Sequence, residues 1–178
     1  MRRFVFIFTL SILFLTGCKK DDNIDHSGSI VDVINNYRKE NNLSVIPVSP
    51  SLTTIAEIHA KDLTENYVLS DKCNIHSWSD KGKWIPFCYS PDQSNAQLMW
   101  DKPRELTSYT GNGYEIAVFR SDTMTASIAL NLWISSEEHL DVILNKGIWK
   151  DLKWKAIGGA INGKYAVAWF GEETDVVK

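Results

Sequence analysis

Three groups in this 178-residue sequence could bind a metal or move protons: His76, Glu115, and His139 with its neighbours Glu137 and Glu138. Two imidazoles and a carboxylate are a donor set for a divalent cation such as zinc, and equally a set for general acid–base work. His and Glu scattered over a surface would give the same set, so spacing does not choose between these readings. His76 lies inside "CNIHSWSDKGKWIPFC", a stretch bounded by Cys73 and Cys88. The two sulfurs either form a disulfide around a histidine-bearing loop or join His76 on a metal. The Cys-x2-His spacing suits zinc, but no fourth ligand is obvious nearby. The sequence has no His-Glu-x-x-His and no Gly-x-Ser-x-Gly, so nothing independent signals hydrolysis.

The compartment bears on the cysteines. "MRRFVFIFTLSILFLTGC" carries two arginines, an apolar run from Phe4 to Leu15 and then small residues. This is the layout of a secretory signal, too short to span a membrane. Its Leu15-Thr16-Gly17-Cys18 end resembles the lipobox of bacterial lipoproteins, which implies cleavage before Cys18 and a lipid on that cysteine. The expected organisation is a signal over 1–17, a polar tether over 18–28 and one domain over 29–178. Cleavage would remove 17 of 178 residues, leaving 161, and with Arg2 and Arg3 gone the formal charge would move from −3 to −5. That balance, with no basic cluster after the tether, argues against a nucleic-acid partner and leaves the membrane, reached through the lipid, as the expected one. With Cys18 lipidated, Cys73 and Cys88 are an even pair, which in an oxidising compartment reads first as a disulfide. The expected location is the cell envelope, as an outer-membrane lipoprotein facing the periplasm or the cell surface. "KKDD" after the lipid-bearing cysteine resembles surface-export signals of some Gram-negative lipoproteins.

Several elements must position these groups. Ser29 to Asp32 is a capping-box-like start, followed at helical spacing by Ile30, Val33, Ile34 and Tyr37, with an end near Asn41-Asn42. Ser49 and Pro50 open a second helix as N-cap and first-turn proline, with Leu52, Ile55, Ala56, His59 and Leu63 on one face. On that apolar stripe His59 reads as a packed core histidine. From Val68 to Tyr109 no long periodic run appears, and the segment reads as a long irregular loop tied down by the cysteine pair. "GYEIAVF", 113–119, is a strand by its β-branched and aromatic content. Ser121 or Asp122 then caps a helix through "TMTASIALNLW", and "EEHLDVILN" gives a short one. "WKAIGGAI" and "KYAVAWFG" form a hairpin joined at Asn162-Gly163. The pattern is α/β, with helices on both faces of a small, mostly antiparallel sheet. Trp78, Trp84, Tyr89, Trp100 and Tyr109 either line a groove for an apolar ligand or a sugar, or make a satellite core under the long loop.

Several motifs in order resemble the CAP superfamily (cysteine-rich secretory proteins, antigen 5, pathogenesis-related 1 proteins; SCP-like domains). "NYRKENNL" and "SPSLTTIAEIHAKDL" look like its first two helices, "IHSWSD" like its lone post-helical histidine, and "GYEIA" like its Gly-Glu-Asn-Ile-Ala element. "WISSEEHLDVIL" is similar to a bacterial Trp-x-x-Ser-x-x-His-x-x-Ile-Leu run, with Trp133, Ser136 and His139 in register. "IGGAINGKYAVAWFG" resembles the family's Gly-x-Gly turn into an aromatic-rich last strand, so the likeness spans about residues 30 to 171. It implies a three-layer α-β-α sandwich with a cleft that often holds two His and two Glu, sometimes around zinc or another divalent ion. Carried over, His76 and His139 are the two histidines. Tyr114 stands where the family has its glutamate and Glu115 one place later, so Glu115 is expected in the cleft only through a bulge or local gap. Ser136 stands at the second glutamate, with Glu137 as a substitute about 100° round the helix.

The resemblance implies a membrane-anchored binding module whose His/Glu cleft holds a divalent metal, an apolar or lipid-like ligand, or a protein partner segment. The competing expectation is a metal-dependent, peptidase-like hydrolase in which His76 and His139 hold the metal and Glu115 or Glu137 activates water. The third is a purely structural surface domain.

Overall fold

The computed structural model describes residues 28–176, so the expected signal, the lipid-bearing Cys18 and all of the tether but Gly28 lie outside the described residues. Helix α1 spans Ile30–Glu40. Its capping box has formed: the Ser29 hydroxyl accepts from the Asp32 amide while the Asp32 carboxylate accepts from Ser29. Helix α2 spans Pro50–Asn66, capped by the Ser49 hydroxyl. Leu52, Ile55, Ala56, His59 and Leu63 are all buried, as the stripe requires. The next segment is mostly irregular, with two one-turn helices, α3 (Ala96–Trp100) and α4 (Lys102–Leu106). Strand β1 is Tyr114–Phe119, helices α5 and α6 are Ala126–Ile134 and Glu137–Leu144, and strands β2 and β3 are Ala156–Asn162 and Tyr165–Gly171.

Two boundaries differ from the sequence reading. Helix α5 starts after Thr125, whose hydroxyl accepts from Ile128, and not at Ser121 or Asp122. The Asp122 carboxylate instead accepts from the adjacent Thr123 amide, a local turn that competes with a helix start. The hairpin turns at Gly163-Lys164, with Asn162 paired to Tyr165 inside the ladder. Gly163 takes φ +55°, a left-handed conformation that costs glycine little.

The sheet runs β1-β3-β2, antiparallel throughout. Period-2 alternation divides the core in two. Ile116, Val118, Ala166, Ala168 and Phe170 pack on one face with α1, α5 and α6. Ala117, Val167 and Trp169 pack on the other with α2 and the long loop. The result is the expected three-layer α-β-α arrangement. Gly158 sets the spacing of α2 from the sheet, since a Cβ there would lie 2.1 Å from the Thr53 amide nitrogen.

Two ties close the fold around the site. Arg38, buried in α1, donates to the carbonyls of Ser44 (3.0 Å) and Ile143 (2.5 Å) and to Asn145 Oδ1 (2.8 Å), locking α1 to the end of α6. Cys73 and Cys88 are joined as a disulfide with their Cα atoms 5.0 Å apart, which sets aside their reading as metal thiolates. Inside this loop Trp78 and Phe87 form an isolated antiparallel bridge. The Lys102 ammonium stands over both rings, at 5.1 and 5.4 Å.

Candidate functional site

The site is built from the one charged residue of β1. Glu115 belongs to the α2-facing set of strand positions and is 7% exposed. A buried carboxylate must find partners, and two imidazoles supply them. His59, from the middle of α2, meets Glu115 Oε1 through Nδ1 in a very short contact, and His76 Nδ1 meets Oε2 at 2.7 Å. His59 Nε2 faces the Ser77 carbonyl at 3.0 Å, and its ring stacks on Trp78 at 4.3 Å, only 7° from parallel. One turn along α2, Asp62 accepts from the Ser79 amide (2.9 Å) and hydroxyl (2.5 Å), so α2 also fixes the strand of loop that carries His76.

Burial alone would raise the Glu115 pKa, but the charge of His59 and the hydrogen bonds of His59 and His76 outweigh it and hold the group below its ordinary value. Glu115 is therefore a carboxylate bridging two rings. His139, in the first turn of α6, is pushed down to about 4 by burial above all, with Glu138 opposing, so its ring is neutral near pH 7. Its Nδ1 is buried with no hydrogen-bond partner among the described residues.

His76 and His139 line one cavity of about 410 Å³. Tyr89, Trp100, Tyr114 and Trp149 supply its aromatic walls, and Tyr114 lies 5.6 Å from Trp100 and 5.2 Å from Trp149. Tyr114 and Glu115 both line it although they point to opposite faces of the sheet. No bulge is involved, because β1 pairs with β3 in unbroken register from Tyr114 to Phe119. The reason is topological. β1 is an edge strand, and the cavity curls round its open edge, so residues of either parity reach it. The register argument against an ungapped Glu115 is thereby corrected.

Other sequence candidates lie elsewhere. Glu137 does not line the cavity; Glu138 and Asp141 do, because the helical rotation per residue turns Glu137 to solvent. Ser136 does not line it either, and its hydroxyl donates to Glu138 Oε2 at 2.9 Å. Trp78 is 2% exposed beneath His59, and Trp84 packs edge-on against it at 5.1 Å while donating to the Ser79 carbonyl. These two tryptophans form the satellite core, whereas Tyr89 and Trp100 wall the cavity. A larger hollow of about 520 Å³ lies under the disulfide loop beside Asp62, Tyr67 and Phe87. No histidine lines it, and the Asp62 carboxylate is already bonded to Ser79, so the chemistry is at the smaller cavity.

Among the described residues, no three His, Cys, Asp or Glu side chains are grouped as a cation requires. Both oxygens of Glu115 and Nδ1 of His76 are engaged with each other or with His59. The residue that sequence reasoning missed is His59. It is packed in the core, as read, yet it is also half of an ion pair. One signal could have found it: His59 and Glu115 are the polar residues on two otherwise apolar faces, and buried polar groups are found in pairs.

The comparisons with known proteins agree with this architecture. The family model described as "CAP: Cysteine-rich secretory protein family" matches residues 31–150. No curated protein sequence matches the chain significantly. Among solved structures, an extracellular protein containing a SCP domain from Bacillus anthracis str. Ames superposes with a TM-score of 0.53 at 18% identity, covering 81% of this chain and 39% of its own. An outer surface protein from Borrelia burgdorferi also gives 0.53, at 19% identity, over 82% of this chain and 90% of its own. A cysteine-rich secretory protein from Staphylococcus aureus subsp. aureus Mu50 gives 0.50 at 19% identity, over 81% and 37%. The chain thus spans about two fifths of the Bacillus and Staphylococcus proteins and nine tenths of the Borrelia one.

Proposed function

The chain belongs to the cysteine-rich secretory protein (CAP) family, and from that premise we propose that it is a binding module of the cell envelope whose cavity at the β1 edge takes a small ligand with a flat apolar body. The observation that carries the reading is the cavity's composition. Aromatic walls from Trp100, Tyr114 and Trp149 meet two histidines, while the Glu115 carboxylate is already satisfied by His59 and His76. Such a site offers apolar area with a few convergent polar groups, the usual form of a small-molecule pocket. Among the described residues its lining holds no serine, threonine or cysteine, and the Glu115 carboxylate is occupied by two imidazoles, which favours binding. Similarity to an extracellular protein and an outer surface protein supports placing the domain outside the cytoplasm. The lipobox-like end at Cys18 supports a lipid anchor, and Cys18→Ser should then release the protein from membranes.

The test of the pocket is a titration of the ¹⁵N-labelled mature chain with 2-naphthylmethanol, followed by NMR. The indole N–H signals of Trp100 and Trp149 should move, and Trp100→Ala should abolish the shifts. Shifts confined to Trp78 and Trp84, or none at millimolar probe, would overturn the reading. A zinc titration tests the competing metal site. One equivalent bound and lost in both His76→Ala and His139→Ala would replace the ligand pocket with a metal centre.

A further inference from the structure

The hydrogen bonds around Glu115 dictate where the protons sit. The Ser77 carbonyl can only accept, so His59 Nε2, 3.0 Å away, carries a hydrogen. The Glu115 carboxylate can only accept, so the ring nitrogens it meets, His59 Nδ1 and His76 Nδ1, both donate. His59 thus donates from both nitrogens and is the cation of a buried ion pair with Glu115. That pair is neutral as a unit, and it asks of His76 only one hydrogen bond. His76 Nε2 has no protein partner among the described residues and is not buried. Its side chain is 18% exposed, and it faces the cavity.

Resting on the binding reading above, we infer that His59, acting through Glu115, is a positioning residue that holds the His76 proton on Nδ1, leaving the Nε2 lone pair toward the cavity, so that the pocket selects a ligand presenting a hydroxyl over one presenting an anion. A lone pair receives an O–H and repels a carboxylate. Glu138 and Asp141 in the same lining add to the discrimination against anions. With a neutral residue in place of His59, Glu115 becomes a buried anion whose nearest remaining partner is His76, and the field that fixes its tautomer changes. His59 itself does not line the cavity. Its influence on specificity passes entirely through the carboxylate.

Two measurements on the ¹⁵N-labelled mature chain test this. Long-range ¹H–¹⁵N correlation of the histidine rings at neutral pH should show His76 protonated on Nδ1 and bare on Nε2, with His59 protonated on both. Paired titrations with 2-naphthylmethanol and 2-naphthoate, which share a body and differ in the polar group, should favour the alcohol by about tenfold, the effect of one neutral hydrogen bond. His59→Gln should leave His76 as the only counter-cation for Glu115, so that Nε2 gains a proton and the preference is lost, while Glu115→Gln, which keeps the shape, should free the tautomer. A wild-type His76 with its proton on Nε2 would overturn the inference without any variant. So would His59→Gln with tautomer and preference unchanged. If neither naphthyl compound binds, the binding reading fails by itself, because the ring nitrogens report the positioning without a ligand.

Discussion

Replacing Glu115 with alanine tests the site and the fold together. In the native state the Glu115 carboxylate answers His59, which is fully buried, and His76. Alanine removes two charge-assisted hydrogen bonds and leaves a ring with two N–H groups, one still on the Ser77 carbonyl and one facing a void. Breaking a buried pair from one side costs about 3–5 kcal/mol, because the remaining group loses its counter-charge without regaining water. For a domain of this size, each kcal/mol lowers Tm by about 2–4 °C, so Glu115→Ala should melt about 6–20 °C below wild type. Glu115→Gln keeps one acceptor and should lose about 1–3 kcal/mol. Urea unfolding at pH 7 and pH 4 gives a second signature. The folded Glu115 carboxyl is held below its ordinary 4.5, so its contribution is complete above that value and fades as pH falls through the folded pKa. The alanine variant should therefore lie closer to wild type at low pH than at pH 7. A variant within about 1 kcal/mol of wild type at pH 7 would refute the reasoning, since mutations of that size need no buried pair.

Other consequences can be checked with the same unfolding assay. His139 titrates at about 4 in the folded state against 6.5 ordinarily, so the unfolded chain takes up a proton first as pH falls. Stability should decline between about 6.5 and 4, by at most about 3 kcal/mol, and His139→Asn should flatten that decline. Reducing the Cys73–Cys88 disulfide frees a 15-residue separation and should cost about 3 kcal/mol, seen as a lower urea midpoint with reductant present. Gly158→Ala drives a Cβ to 2.1 Å from the Thr53 amide nitrogen and 2.2 Å from the Leu52 carbonyl carbon, where no side chain can yield. It should destabilise by about 3 kcal/mol through overpacking, and a neutral result would mean that α2 can move off the sheet.

Much of the fold was legible in the sequence because its signals are local. A serine three residues before an aspartate caps α1, a proline after a serine opens α2, and runs of β-branched and aromatic residues mark β1 and β3. The disulfide was expected because Cys73 and Cys88 are an even pair once Cys18 is set aside for a lipid. Where the reading slipped, at the start of α5 and the hairpin turn, residues within a few positions of one another competed for one role, and the energy between them is small.

The site was legible only in part. Its residue types were visible, but their pairing was decided by the tertiary structure. His59 and Glu115 are 56 residues apart and His76 and Glu115 are 39 apart, distances over which no local propensity acts. Period 2 alone would have excluded either Tyr114 or Glu115 from the cavity. Both enter because the β1-β3-β2 order leaves β1 at an open edge. Sequence by itself determined which segments are helix and strand and which faces are apolar. The packing of α2 and the disulfide loop on the sheet then decided that Glu115 meets two imidazoles and that the cavity opens beside them. The physical reason is that a buried charge is stable only where distant chain segments bring it a partner.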